Sequence, residues 1–199
     1  MTDLFTPVGL PLQGGEILGT GSYTGPKIPE DPETGQSERS VYDYSHTANA
    51  VEVAVNVDTG EVKVLRSGMA CDMGKAINPK IVEGQIEGGI GMGISTTIYE
   101  QVVLDNGTVV NPSLTDYHIP TTLDLPKGDN SKAMLVEALE PEGPFGAKGV
   151  GELPLVAPAP AIANAVYDAV GVRIKDLPLS REKVLEGVKK ITKARGKIR

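Results

Sequence analysis

Apolar and polar residues alternate from Ala48 to Asp58, which places Val51, Val53, Val55 and Val57 on one face of a strand. Glu61-Val62-Lys63-Val64-Leu65-Arg66 resumes the alternation after Thr59-Gly60, so the two segments predict a hairpin with that dipeptide as its turn. A second hairpin is predicted where Gln101-Val102-Val103-Leu104 and Thr108-Val109-Val110-Asn111 flank Asp105-Asn106-Gly107. Ala133-Met134-Leu135-Val136-Glu137 predicts a short strand, and Tyr117 to Thr122 an extended piece. Before residue 41 only Glu16-Ile17-Leu18 suggests a strand. The rest, including Gly19, Gly21 and Gly25, reads as loop and turn, which suits a segment covered by another chain or domain.

The pattern then changes to helical spacing. Asn78-Pro79 is an entry signal, with Asn78 as N-cap and Pro79 at the first helical position. The helix is predicted to run to about Ile98, with Ile81, Val82, Ile86, Ile90, Ile94 and Ile98 as its apolar stripe. Gly84, Gly88, Gly89, Gly91 and Gly93 each cost about 1 kcal/mol relative to Ala there. Such a helix needs its backbone bare for a close helix contact or for a cofactor. Gln85 and Glu87 sit in its N-terminal half, where backbone N–H groups attract anions. Residues 157–170 predict a second helix, with Ile162, Ala165-Val166 and Ala169-Val170 inward and Gly171 as its stop. Pro158 and Pro160 fit only in its first turn. Ser180 caps a last helix with Val184, Leu185, Val188 and Ile191 on one face, and residues 189–199 form a solvated basic end. These elements predict an α+β fold of mixed sheets of hairpins with packed helices. One domain is expected over residues 1–199, with an irregular segment at 1–40 and a basic tail at 190–199.

Composition narrows the chemistry. The 199 residues carry a formal net charge of −7, which argues against a duplex-binding surface, and aromatic residues are too scarce for stacking bases. The single cysteine, Cys71, lies in an apolar run and excludes a chain-internal disulfide or a Cys-built metal site. Only His46 and His118 are available as histidine ligands, so no metal ligand is assigned. No apolar run is expected to reach membrane-spanning length, and Met1-Thr2-Asp3 lacks the basic and apolar regions of a secretory signal, so a cytoplasmic location without membrane contact is expected.

The candidate chemistry centres on Gly146-Ala147-Lys148-Gly149-Val150-Gly151-Glu152. The glycines permit close backbone approach to something bulky. Glu152 follows the last of them, and Pro154 stiffens the exit. Such a loop can present one acid/base group to a ligand, although glycine turns with a solvated glutamate are also common. Burial beside Val150 and Leu153 would disfavour the charged form of Glu152, and a facing Lys148 would favour it.

The order of motifs adds a family. Ala50-Val51-Glu52-Val53-Ala54-Val55, Thr59-Gly60-Glu61-Val62, Asp72-Met73-Gly74-Lys75-Ala76-Ile77-Asn78-Pro79, Gly84-Gln85-Ile86-Glu87-Gly88-Gly89, Tyr117-His118-Ile119-Pro120-Thr121 and the glycine–glutamate loop together resemble the C-terminal part of the large subunit of molybdenum hydroxylases, the xanthine dehydrogenase / aldehyde oxidase family. The resemblance runs from about Leu18 to Val188. It implies a molybdenum-pyranopterin cofactor, as molybdopterin or its cytosine dinucleotide. Glu152 would be the catalytic base that takes the proton from a metal-bound hydroxyl. Gln85, with Gly84 beside it, would bond the pterin, and the backbone of Lys148, Gly149, Val150 and Gly151 would pass close to it. It further implies hydroxylation of an electron-poor carbon, with electrons leaving through iron–sulfur clusters and FAD on partner chains.

Family subunits are several times longer. The upstream half, with other cofactor contacts and the substrate pocket, is absent from this sequence, so the chain alone is not expected to be a working enzyme. The expected partners are that upstream half, iron–sulfur and flavin subunits, and a small-molecule substrate. The alternative is a non-catalytic scaffold or assembly module of the same fold. A nucleotide-binding loop at residues 88–93 is disfavoured, because no Lys-Ser/Thr follows the glycines.

Overall fold

The computed structural model describes residues 19–26, 28–41 and 43–196. The suggested strand at Glu16-Ile17-Leu18 lies outside them. The chain divides into two compact units, Met1–Tyr42 and Asp43–Arg199.

The described part of the first unit is irregular, as its turn-rich composition predicts. Asp31 organises one turn: its carboxylate accepts the N–H groups of Glu33 (2.7 Å) and Thr34 (3.2 Å), and its own N–H donates to the Gln36 carbonyl. This side-chain-to-backbone bonding stands in for a ladder.

The second unit is a layer of helices on a three-stranded sheet. Strands β1 (Thr47–Val55) and β2 (Val62–Asp72) form the expected antiparallel pair, with a bulge between Glu52 and Val53. The turn differs from a tight Thr59-Gly60 reversal. Asn56 builds a longer one, its side-chain oxygen accepting from Asp58 and Thr59 and its N–H bonding the Glu61 carbonyl. Val57 therefore lies in the turn, 51 % exposed, and does not join Val51, Val53 and Val55 on the inner face.

Helix α1 (Pro79–Ile94) begins as predicted, with the Asn78 side chain accepting the Ile81 N–H, and ends in a wider π-type turn at Ser95–Tyr99. Ile81 departs from the predicted stripe and is exposed, whereas Val82, Ile86, Ile90 and Ile94 are buried. The second hairpin shrinks to β3 (Leu104–Asp105) and β4 (Thr108–Val109) around Asn106 and Gly107, both at positive φ. Its strands have no packed face to extend on, and both are exposed. Strand β5 (Ser131–Val136) pairs with β2 in parallel, giving the order β1-β2-β5.

The helix predicted for residues 157–170 is α3 (Pro158–Val170), stopped by Gly171 in the left-handed region as expected, and a short helix α2 (Leu153–Val156) that the sequence did not predict precedes it. Ile162 and Val166 face inward, but Ala169 is exposed. Contrary to expectation, the run Leu153–Val170 reaches the length and mean hydropathy (1.2) of a short membrane span. Its buried residues, Pro154, Pro158, Ile162 and Val166, are used in packing against the rest of the unit. Helix α4 (Arg181–Gly196) takes in most of the basic end, and Ser180 Oγ accepts the Lys183 N–H.

The core joins Val62, Val64, Met69, Cys71 and Met73 of the sheet to Val82, Ile86, Ile90, Ile94, Ile162 and Val184 of the helices. Cys71 is a free, buried thiol, pushed up in pKa by burial and drawn partly back by the Thr47 hydroxyl at 3.3 Å.

Candidate functional site

The loop that carries Glu152 is clipped to the end of β2. Gly74 and Ala147 form an antiparallel bridge; the Lys75 N–H donates to the Gly146 carbonyl (2.7 Å) and the Lys148 N–H to the Met73 carbonyl (2.8 Å). The approach is close enough to require glycine. Gly74 has φ +62, and a β-carbon there would lie 2.3 Å from the Gly146 oxygen. The turn into the clip places Phe145 at φ 57 with its ring 81 % exposed, followed by Gly146 at φ 80.

The side chain of Lys148 reinforces the clip. Its ammonium lies 2.8 Å from Asp72 Oδ2 and 3.1 Å from the Tyr44 carbonyl, with both ion-pair side chains buried. Burial opposes ionisation of Asp72, but the Lys148 hydrogen bond and charge, with the Gly74 and Ala138 N–H groups, outweigh it and hold the carboxyl below its ordinary pKa. Lys148 is thus engaged with Asp72, Tyr44 and Met73. The alternative raised by the sequence, an ammonium facing Glu152, does not arise.

Beyond Lys148 the backbone is bare. Gly149 and Gly151 have open space where a β-carbon would stand, while Val150 is half-buried against the core. Glu152 is exposed and precedes α2; its carbonyl accepts the Leu155 N–H (3.0 Å), and its side chain makes no capping bond.

Helix α1 lies alongside this exit, and its glycines divide by role. A β-carbon on Gly89 would sit 2.4 Å from Pro154 Cβ, and one on Gly93 2.5 Å from Pro158 Cβ. These two glycines seat α2 and α3. Gly84 and Gly88 instead have open space, and Gln85 between them is exposed. Because residues 89 and 93 meet 154 and 158 in the same order, the two segments run in the same direction. Gln85 lies one turn of α1 before Gly89, and Glu152 lies two residues before Pro154.

Sequence reasoning did not single out Asp72 or Tyr44 as parts of the site. The signal for Asp72 was a lone carboxylate closing an apolar strand; the Tyr44 contact uses only a backbone carbonyl, so its residue type gives no clue. Among the described residues no three His, Cys, Asp or Glu side chains gather as a metal site. His46 is exposed, with its ring nitrogen 3.9 Å from Asp72.

Residues 5–126 match the family model of the molybdopterin cofactor-binding domain. The chain is 35 % identical over 160 residues to the aldehyde oxidoreductase molybdenum-binding subunit PaoC of Escherichia coli K12, covering 79 % of this chain and 21 % of that one. It is 39 % identical over 138 residues to the xanthine dehydrogenase molybdenum-binding subunit of Escherichia coli O157:H7, covering 68 % and 18 %. Among solved structures, the aldehyde oxidoreductase of Desulfovibrio gigas superposes with a TM-score of 0.69 at 37 % identity, covering 78 % of this chain and 16 % of that one. The chain thus spans about a fifth of the length of these relatives. By sequence and by fold, it belongs to the molybdopterin cofactor-binding domain family of the xanthine dehydrogenase and aldehyde oxidoreductase molybdenum-binding subunits.

Proposed function

We propose that this chain forms one wall of the cofactor site in a multi-subunit oxidoreductase that hydroxylates an electron-poor carbon, with Glu152 as the general base. The observations that support the reading are the bare segment 149–151, which ends in an exposed carboxylate, and the close seat of Pro154, two residues after Glu152, on Gly89 of α1, one turn after Gln85. The residues fit a bulky, polar group. Gly84, Gly149 and Gly151 leave spaces that any β-carbon would fill, and the exposed Gln85 amide can both donate and accept hydrogen bonds.

Gly84, Gln85 and the backbone of residues 148–151 would hold the molybdenum-pyranopterin, as molybdopterin or its cytosine dinucleotide. When bound, that group supplies a two-electron acceptor and the water-derived oxygen that is transferred. The chain's own part is proton handling and orientation. Glu152 takes a proton at its carboxylate oxygen, and the fixed ends of its segment keep that oxygen in reach. The Gln85 amide orients the group from the α1 side. Substrate selection and electron exit belong to the rest of the assembly: the upstream half of the molybdenum subunit, and chains carrying iron–sulfur clusters and FAD. We place the assembly in the cytoplasm.

Glu152→Gln in the assembled enzyme tests the reading. Cofactor content should stay normal while kcat falls by roughly 10²–10⁴-fold, the usual worth of a positioned base. Near-normal turnover would exclude the role. An assembled wild-type enzyme that lacks both molybdenum and turnover would favour the scaffold alternative.

A further inference from the structure

We propose that the buried Asp72–Lys148 ion pair is a positioning device for the Glu152 carboxylate, fixing where the glycine segment begins and so where the base is aimed. This rests on the reading of Glu152 as the base. The pair stands apart among the ion pairs of the described residues. Arg66–Glu52, Arg181–Glu61, Lys132–Asp129 and Lys75–Glu137 are substantially exposed, whereas the side chains of Lys148 and Asp72 are 8 % and 11 % exposed. A buried pair is a weak source of stability, since apolar side chains of the same volume often do as well. What it adds here is direction.

Asp72 gathers three segments. It accepts the Gly74 N–H through Oδ1 (3.1 Å), the Ala138 N–H, and the Lys148 ammonium through Oδ2 (2.8 Å). Lys148 carries the clasp on to the Tyr44 carbonyl. From Lys148 the chain reaches Glu152 in four residues, with open space at the β-carbon positions of Gly149 and Gly151 and Val150 packed against the core between them. The Lys148 contacts fix where this segment leaves β2, and Pro154 against Gly89 fixes where it enters α2. Misplacing a reacting group by about 1 Å can cost on the order of 10²-fold in rate. A loosened clasp should accordingly lower kcat and leave substrate binding alone.

Because Lys148→Met alone would strand a buried carboxylate, the test uses the neutral double variant Asp72→Asn/Lys148→Met in the whole molybdenum subunit, alongside Glu152→Gln. Amide hydrogen exchange on the cofactor-free subunit is the first readout. Residues 146–153 should exchange at least about tenfold faster while α1 and β2 keep their protection. In the assembled enzyme kcat should fall at least about tenfold with KM within about twofold. Unchanged exchange at 146–153, unchanged kcat, or equal loss of protection throughout the unit would each overturn the proposal, the last by making the pair merely structural. If Glu152→Gln keeps near-normal turnover while the double variant is slow and loose, the base assignment falls and the clasp stands as the anchor of some other group on the loop.

Discussion

Gly89 of α1 and Pro154 of α2 are in contact so close that no other residue fits at position 89: an added β-carbon would meet Pro154 Cβ at 2.4 Å and its backbone carbonyl carbon at 2.9 Å. The second is a main-chain atom and cannot rotate away. Gly89→Ala should therefore push α2 off α1, at a cost of about 1–3 kcal/mol, as overpacked cores do. It should also displace Glu152, two residues upstream. Denaturant unfolding and turnover of the assembled enzyme should both register the change; a variant of full stability would contradict the packing.

Gly84, on the same helix, should respond in the opposite sense. Nothing lies within 4 Å of the space its β-carbon would take. Gly84→Ala should stabilise the subunit by up to about 1 kcal/mol through helix propensity. If the open backbone there receives the cofactor, the same variant should retain less molybdenum after purification. Metal analysis beside a melting curve checks both halves, and undiminished molybdenum would remove Gly84 from the site.

The pair Asp72–Lys148 predicts a pH dependence with a definite sign. Asp72 titrates below its ordinary value in the folded chain, because Lys148 and the two N–H donors outweigh its burial. Its contribution is then complete above the unfolded-state pKa and is lost as pH falls through the lower folded value. Lys148→Met should cost about 3–5 kcal/mol at neutral pH, the typical result of stranding one partner of a buried pair. The deficit should narrow as pH falls and Asp72 is protonated. Urea titrations at a series of pH values measure this; a deficit that widens in acid would refute it.

Phe145 offers a gain. An L-residue at φ 57 is strained by about 1–2 kcal/mol, and asparagine tolerates that region better. The ring is 81 % exposed, so little packing is lost on replacement. Phe145→Asn should raise stability by up to about 1 kcal/mol in the isolated chain. A loss of stability would mean that the ring has a partner in the fold.

The fold was legible where local chemistry decides it. Alternating valines gave the first strand pair, Asn78-Pro79 the start of α1, Asn106-Gly107 a tight turn, and Ser180 the last cap. What could not be read depends on distant partners. The parallel pairing of β5 with β2 joins segments about sixty residues apart, and nothing local to either one names the other. The glycines of α1 look alike in sequence, yet Gly89 and Gly93 serve prolines of later helices while Gly84 and Gly88 meet nothing among the described residues. The candidate site divides in the same way. The glycine–glutamate loop was visible as a motif, but the destination of the Lys148 side chain was settled by Asp72, a residue seventy-six positions earlier.

The loop that carries Glu152 is held at both ends. Between Lys148, bound at the end of β2, and Pro154, wedged on α1, lie five residues. Inserting or deleting a single one would shift Glu152 relative to at least one of those two contacts. The number of residues in this stretch is thus as much a part of the site as their identity.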